Sequence, residues 1–344
     1  MEKMADVCVV GAGAIGGIVA ARMALAGHRV SVVARGAHLQ AIREGGLVLD
    51  DRVNGAEHTM RLAASDDPAA FGRQDLVVIG LKGPAIPAML PRLAPLVGPD
   101  TLVVPAINGI PWWYFHRHAS PHAGRRIACL DPRGDLFAAL DCDRVIGCVV
   151  LLAGEIAKPG TVVHTAVSRM IIGEPSGELT PRLQRLAGWW TGCGFETTLS
   201  TQIRREIWMK LTGNLSFNTV AALTGCRTDE LIDDPDLVEV LRAMIEEGRR
   251  VAAAYGAPVD IDADARIRMA RSIGRARPST LQDFEAGRRP EIEGLIGSVI
   301  ELADEAGVPV PTIRHVAALL TARARSLGLL GPVPPAPGAA TGRA

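Results

Sequence analysis

A glycine pattern near the amino terminus constrains the fold more than any other feature of the chain. The stretch GAGAIGG occupies residues 11–17 and is spaced G-x-G-x-x-G. It follows an apolar run at 6–10 and precedes a segment of helical composition at 15–26, after which residues 28–34 alternate and are rich in β-branched side chains. These segments predict a strand, a glycine turn, a helix and a second strand within about 30 residues.

In that context each glycine has a physical role. Gly11 permits a tight turn, Gly13 lets the backbone approach a pyrophosphate, and Gly16 lets the helix pack closely against the strand. The first amides of the helix, at Ala14 and Ile15, would face the phosphate charge. The pattern therefore predicts a dinucleotide-binding site, and the alternative is a plain glycine turn in a parallel sheet.

The end of the second strand indicates which dinucleotide binds. Units that bind NAD usually carry an acid there, which accepts hydrogen bonds from the ribose, but this chain has Arg35 and no acid before Glu44. The forked guanidinium of Arg35 can bind a 2′-phosphate. NADPH is therefore the predicted cofactor, and a solvated arginine on a turn is the alternative.

Two further strands are predicted at 75–80 and 101–106, and a polar residue follows each of them. Lys82 comes after the first strand and Asn108 after the second. Ligands of such sheets lie beyond the carboxyl ends of the strands, so both residues are candidates for the nicotinamide end of a cleft. A solvated lysine and an ordinary Asn-Gly turn explain the two positions equally well.

From about residue 201 the strands give way to long helical segments. Within 202–222, Lys210, Asn214 and Asn218 recur every four residues and share one helix face. Asparagine is a mediocre helix former, and a solvated face would more naturally carry Glu, Lys and Arg. We therefore favour a buried polar site over an exposed stripe.

Two residues further along the chain have structural explanations. Ser279 and Gln282 are spaced as a capping box at a helix start. Pro290 and Glu291 would begin another helix, with proline in its first turn and an acid that complements the helix dipole. Local reasoning leaves Ser279 and Glu291 with these roles.

Length, charge and cysteine usage narrow the class of protein. The 344 residues suffice for two domains, and Lys+Arg and Asp+Glu both number 37, which leaves no basic surface for nucleic acid. Six scattered cysteines, no signal peptide and no apolar run of roughly 18 residues favour a reduced, cytoplasmic protein outside the membrane. His116 and His118 lack a third ligand, so no metal site is predicted. The Pro/Ala/Gly-rich stretch 331–344 predicts a disordered tail.

Several motifs follow one another in an order that resembles the ketopantoate reductase family (2-dehydropantoate 2-reductases), from about residue 6 to residue 320. The helix motif and the SxLQD segment are far more specific than the glycines. The matching segments are VVGAGAIGG with Arg35, LK at 81–82, NG at 108–109, PGxVxH at 159–164, IGE at 172–174, ExWxKLxxNxxxN at 206–218 with LTGC at 223–226, and SxLQD and EIE between 279 and 293.

The resemblance implies an α/β fold in which a Rossmann-like dinucleotide-binding domain, placed at 1–200, precedes an all-helical substrate domain at 201–330. It also implies NADPH-dependent reduction of a small-molecule 2-oxo acid between the domains, most directly of ketopantoate to pantoate in pantothenate and coenzyme A biosynthesis. Helical second domains of this type can pair, so a homodimer is kept open.

The resemblance also implies a catalytic pair. Lys210 would be the catalytic acid, and Glu291 would assist by binding a substrate hydroxyl. Hydride delivery builds negative charge on the carbonyl oxygen, and a desolvated ammonium with a pKa below about 10.4 could stabilise that charge and supply the proton. The residues implied to hold the substrate are Asn214, Asn218, Ser279 and Asn108. Those implied to bind the cofactor are Gly11, Gly13, Ala14, Ile15, Gly16, Arg35, Lys82 and Asn108.

Two departures from the family pattern leave the substrate open. The usual TEIDxxNG is PEIEGLIG at 290–297, and the long connection after Asn108 contains four consecutive aromatic residues at 112–115. We favour packing for this cluster, but at the cleft mouth it would select a bulkier or more apolar 2-oxo acid. The alternatives are a paralogous D-2-hydroxyacid dehydrogenase for such an acid and a non-catalytic NADPH-binding sensor. Intact Lys210 and Glu291 speak against the sensor.

Overall fold

The computed structural model describes residues 4–331, which form two five-stranded sheets and a helical region. The strands are β1 (Asp6–Val10), β2 (Arg29–Val33), β3 (Leu47–Asp51), β4 (Ala56–Met60), β5 (Ala63–Ser65), β6 (Leu76–Ile79), β7 (Leu102–Pro105), β8 (Gly147–Lys158), β9 (Thr161–Gly173) and β10 (Glu196–Leu199). The α-helices are α1 (Ala14–Leu25), α2 (Gly36–Gly45), α3 (Ile86–Met89), α4 (Asp135–Ala139), α5 (Pro181–Gly192), α6 (Ile203–Gly213), α7 (Thr219–Thr224), α8 (Thr228–Asp233), α9 (Pro235–Ala254), α10 (Ala263–Arg271), α11 (Ser279–Glu285), α12 (Ser298–Ala306) and α13 (Pro311–Ser326).

The first sheet is entirely parallel and has the order β5-β2-β1-β6-β7. The predicted unit of strand, glycine turn, helix and strand is confirmed, because β1, α1 and β2 lie within a residue of the expected positions. The strands predicted at 75–80 and 101–106 are confirmed as β6 and β7, each slightly shorter than expected. The carboxyl ends of these strands therefore meet at one edge of the sheet.

The glycine turn has the geometry that its sequence predicts. Gly11 has a φ of +98°, in the region that favours glycine. A Cβ at Gly16 would lie 2.0 Å from the carbonyl oxygen of Gly11, so only glycine lets α1 approach β1 this closely. By contrast, a Cβ at Gly13 would meet no atom within 4 Å, which leaves open space beside that backbone.

The second sheet was not predicted from the sequence. Its order is β10-β9-β3-β4, and β8 also pairs with β9 in a long antiparallel hairpin. One apolar cluster joins the two sheets through α1 and includes Ile18, Leu49 and Val162. Alternating side chains identify a strand, but they do not identify the strand that pairs with it.

The helical region shares a continuous apolar core with the first sheet. This core extends from Val10 and Ile79 in the sheet to Trp208 in α6 and Met244 in α9. The sheet and the helices are therefore held together by side-chain burial as well as by the polar contacts described below.

The aromatic cluster at 112–115 is buried, as the favoured prediction of packing requires, and one of its members, Trp113, also lines a cavity beside Lys210. Its four side chains are between 0% and 3% exposed. The indole of Trp208 donates a hydrogen bond of 2.8 Å to the hydroxyl of Tyr114, and Arg204 donates to the carbonyl oxygens of Tyr114 at 2.7 Å and His116 at 2.6 Å. Two residues of α6 thus bind the loop that follows β7.

The helix predicted at 202–222 is confirmed with one difference. A π-helical turn, Asn214–Asn218, separates α6 from α7 without breaking the helix. Each residue of this wider turn rotates less about the axis, which offsets the drift of a four-residue repeat. Lys210, Asn214 and Asn218 therefore stay on one face.

Both predicted helices begin within two residues of the expected positions, but the predicted caps are absent. Pro278 occupies the N-cap of α11, so Ser279 lies one residue inside the helix and forms no capping box. The side-chain amide of Gln282 instead donates a hydrogen bond to the carbonyl oxygen of Arg277. The later helix begins at residue 292, after the predicted Pro290, with a π-helical turn at Glu293–Gly297 that leads into α12. A side chain that prefers a cap can instead be used in a tertiary contact.

Three further predictions concerned membrane spans, the cysteines and the carboxyl-terminal tail. No helix within residues 4–331 is long and apolar enough to cross a membrane. All six cysteines are free thiols. The tail predicted at 331–344 lies outside the described residues, apart from Gly331.

We expect Gly16→Ala to lower the free energy of unfolding by about 1–3 kcal/mol, because the added methyl group overlaps the Gly11 carbonyl. Gly13→Ala is the matched control, and its effect should stay below about 1 kcal/mol. Urea unfolding of the cofactor-free proteins measures both values. Equal destabilisation by the two substitutions would refute this account of the turn.

Candidate active site

The candidate site lies where the carboxyl ends of the first sheet meet the helical region. Asn108 follows β7, and Lys210 reaches it from α6. The ammonium of Lys210 donates hydrogen bonds to the side-chain oxygen of Asn108 at 2.8 Å and to the carbonyl oxygen of Val150 in β8 at 2.6 Å. A helix residue, a loop residue and a strand residue therefore share one polar contact.

Glu291 extends this contact on the other side of Asn108. Its carboxylate accepts a hydrogen bond of 2.9 Å from the amide of Gly83, just after β6, and one of 3.4 Å from the side-chain amide of Asn108. Glu291 is 8% exposed, so these bonds compensate for the loss of water. Asn108 consequently connects the ammonium of Lys210 to the carboxylate of Glu291.

The two ionisable groups of this chain of contacts are perturbed in opposite directions. Burial lowers the pKa of Lys210 to about 8, and the nearby Cys148 and Glu291 oppose that shift. Burial raises the pKa of Glu291, while the Gly83 amide, Lys82 and Asn108 oppose the rise. Lys210 is therefore a better proton donor near neutral pH than an ordinary lysine.

A second polar group lies on the same face of the helix. The side-chain amide of Asn218 donates a hydrogen bond of 3.3 Å to the hydroxyl of Ser279 at the start of α11. Asn214, between Lys210 and Asn218, lines a small cavity together with Lys210 and Asn108. Within residues 4–331 no hydrogen bond connects the Asn218–Ser279 pair to Lys210.

Gly109 lets the two regions approach closely. It has a φ of +80°, and a Cβ there would lie 2.2 Å from the carbonyl oxygen of Gly294. The next amide, at Ile110, donates a hydrogen bond of 3.0 Å to that same oxygen. The loop after β7 therefore touches the π-helical turn that follows Glu291.

The residues expected to hold a dinucleotide fit that role in shape. The open space beside Gly13 is at the start of α1, whose first turn, within the described residues, carries no acid to repel an anion. Arg35 is exposed at the N-cap of α2, and the first turn of this fully described helix also lacks an acid. Both helix starts therefore suit anionic groups.

Sequence reasoning missed one charged member of the site. Asp283 is 2% exposed and forms an ion pair with Lys82 across the cleft, and it also accepts a hydrogen bond of 3.0 Å from Arg288. The residue belongs to the SxLQD motif, but an aspartate in a polar helix start gives no sign that it is buried. Only the packing of α11 against the loop after β6 reveals the pair.

Comparisons with known proteins agree with this arrangement. Residues 7–177 match the family model described as ketopantoate reductase PanE/ApbA, and residues 202–324 match the model of its C-terminal part. The 2-dehydropantoate 2-reductase of Mesorhizobium japonicum is 40% identical over 315 residues, which cover 91% of this chain and 96% of that relative.

Solved structures give the same result. A candidate ketopantoate reductase from Ralstonia solanacearum MolK2 has a TM-score of 0.91 at 40% identity and covers 95% of this chain and 100% of its own. A PanE/ApbA family ketopantoate reductase from Ralstonia eutropha JMP134 has a TM-score of 0.80 at 28% identity and covers 94% and 99%. The fold and the relatives together define an NAD(P)-dependent oxidoreductase. The chain belongs to the ketopantoate reductase family.

Proposed function

We propose that this protein uses NADPH to reduce ketopantoate to pantoate, the 2-dehydropantoate 2-reductase reaction of pantothenate and coenzyme A biosynthesis. The observation that carries the proposal is the buried ammonium of Lys210, held against Asn108 at the carboxyl edge of a parallel sheet. A dinucleotide bound at that edge would have its reactive end close to this ammonium. Family membership supports the same reaction.

The cofactor would be held by residues at two helix starts. Gly11, Gly13 and Gly16, with the amides of Ala14 and Ile15, would bind the pyrophosphate. The 2′-phosphate, which NADPH carries and NADH lacks, would contact Arg35, which is exposed and cationic. When bound, NADPH supplies the hydride for the reaction. Lys82 and Asn108 would lie nearer the nicotinamide, at the ends of β6 and β7.

Lys210 has the properties needed at the substrate carbonyl. Negative charge develops on the carbonyl oxygen during reduction, and a buried ammonium stabilises that charge more strongly than a solvated one does. Its lowered pKa allows Nζ to give up the proton that converts the alkoxide into a hydroxyl. Asn108 and Val150 accept hydrogen bonds from Nζ and thereby fix its position.

The remaining polar side chains would orient the substrate. Glu291 would accept a hydrogen bond from a substrate hydroxyl, which ketopantoate provides. Hydrogen bonds from Asn108 and Gly83 hold the Glu291 carboxylate in place. Asn214, Asn218 and Ser279 are neutral, so they can bind the substrate carboxylate without competing with Lys210 for the developing charge. We further propose that residues 1–200 form the cofactor domain and residues 201–330 the substrate domain.

The direct test is NADPH oxidation, followed by absorbance, with ketopantoate beside a panel of other 2-oxo acids and with NADH in parallel. We expect ketopantoate and NADPH to give the highest kcat/KM. Brisk turnover of an aromatic or long branched acid with slow ketopantoate would favour the D-2-hydroxyacid dehydrogenase alternative. Binding of NADPH without turnover of any acid would favour the sensor.

Lys210→Ala should lower kcat by about 10²–10⁴-fold, because the proton donor and the charge stabilisation are both lost. The Kd for NADPH, measured by fluorescence titration, should change much less. Lys158→Ala is the control, since Lys158 is exposed at the end of β8. A variant that loses NADPH affinity and kcat to the same degree would argue for a structural role of Lys210.

The pH profile should report the protonation of Lys210. Its ammonium must be protonated for reduction, so kcat/KM should stay level below the pKa of about 8 and fall as the pH rises above it. Asn108→Asp places a carboxylate beside Nζ, which should raise that pKa and move the fall to higher pH. A profile that stays level from pH 7 to pH 10 would show that Lys210 is not the titrating donor.

Arg35→Ala should raise the KM for NADPH by about tenfold or more and leave the KM for NADH nearly unchanged, because only NADPH carries the 2′-phosphate. Arg61→Ala is the control. It removes another exposed cation, which lies with Asp6 and Arg29 near the amino ends of β1 and β2. Steady-state kinetics with both cofactors measure the effect. Equal loss with NADH and NADPH would contradict the assignment.

A further inference from the structure

A small cavity opens directly beside the candidate catalytic group. Its volume is about 20 Å³, close to the space of one water molecule. The polar side chains that line it are Lys210, Asn108 and Asn214. The rest of the lining is mainly apolar and includes Trp113, Cys148, Ile207 and Leu211. A cavity with this division suits a molecule that has a polar reacting end and a compact apolar substituent.

The position of Trp113 in this wall is firmly held. Its side chain is 1% exposed, and its six-membered ring lies against Gly147, where a Cβ would come within 2.6 Å of the ring. The neighbouring Tyr114 is bonded to α6 through both its hydroxyl and its carbonyl oxygen. The indole therefore has little freedom to move aside for a larger ligand.

Cys148, the second residue of β8, completes the wall. It is 5% exposed, and burial raises the pKa of its thiol to about 12. The thiol is accordingly neutral beside Lys210 and contributes a small, apolar surface. A larger side chain at this position would occupy the cavity.

We propose that the cavity receives a methyl group of the carbon substituent of the 2-oxo acid, while the hydroxyl of the same substituent meets Glu291, and that Trp113 and Cys148 limit the size of the group that can enter. The proposal rests on the proposed function. With the carbonyl oxygen at Lys210, the neighbouring carbon lies within reach of the apolar wall. A methyl group of a compact aliphatic 2-oxo acid fits such a space, whereas a phenyl ring does not. The aromatic loop thus excludes bulky acids, although its composition alone could equally have indicated an affinity for them.

Variants that change the wall in opposite directions test the proposal. Trp113→Leu enlarges the cavity, and Cys148→Val fills it. Trp112→Leu is the matched control, because Trp112 is equally buried at 3% exposure but does not line the cavity. Each enzyme is assayed with NADPH and with ketopantoate, 4-methyl-2-oxopentanoate and phenylglyoxylate, and its folding is checked by circular dichroism and thermal unfolding.

We expect Trp113→Leu to raise the kcat/KM for phenylglyoxylate relative to that for ketopantoate by about tenfold or more, since one methylene in an apolar pocket already changes discrimination by about 10–200-fold. Cys148→Val should lower the kcat/KM for ketopantoate by about tenfold, mainly through KM. Trp112→Leu should leave the ratios unchanged.

These experiments distinguish failure of the cavity proposal from failure of the proposed reductase function. If the wild type reduces 2-oxo acids but the folded Trp113→Leu and Cys148→Val variants keep its substrate ratios, the cavity does not receive the substituent. If Trp113→Leu does not fold, Trp113→Phe and Cys148→Val decide the question by the same ratios. If the wild type reduces no 2-oxo acid with either cofactor, the proposed function fails and the inference fails with it.

Discussion

Burial of the Lys210 ammonium is the constraint on which the rest of the structure depends. A lysine loses its hydration when it is covered, and this loss must be offset by acceptors at fixed positions. Here the acceptors are the side chain of Asn108 and the backbone of Val150, which belong to the sheet region, while the lysine belongs to a helix. The helical region can therefore dock in only a narrow range of positions at the carboxyl edge of the first sheet.

The surrounding structure preserves that docking. Gly109 permits the close approach to Gly294, and the continuous apolar core from Val10 to Met244 stabilises it. The bonds from Trp208 and Arg204 to the loop after β7 add a second connection between the same parts. Because this loop also carries Trp113, the contact that orients Lys210 is physically continuous with the wall of the adjoining cavity.

The glycine unit and the polar helix face could be predicted because both depend on short-range regularities. Gly11 and Gly16 satisfy backbone requirements within a few residues of each other, and the repeat of Lys210, Asn214 and Asn218 follows from helix geometry. The local interpretation of Ser279 and Glu291 failed for the opposite reason. Their side chains bond to Asn218 and to Gly83 and Asn108, which are far away in sequence, so no local pattern could identify those partners.

The sequence by itself therefore determined the dinucleotide-binding unit, the order of sheet and helices, the family and the residue types available for chemistry. These features depend on periodicity, turn geometry and motif spacing, all of which are local. Only the tertiary structure decided the second sheet, the Lys82–Asp283 pair, the pKa of Lys210 and the role of the aromatic loop. Each of these depends on which distant surfaces come together and exclude water, and side-chain burial is a property of the packed molecule.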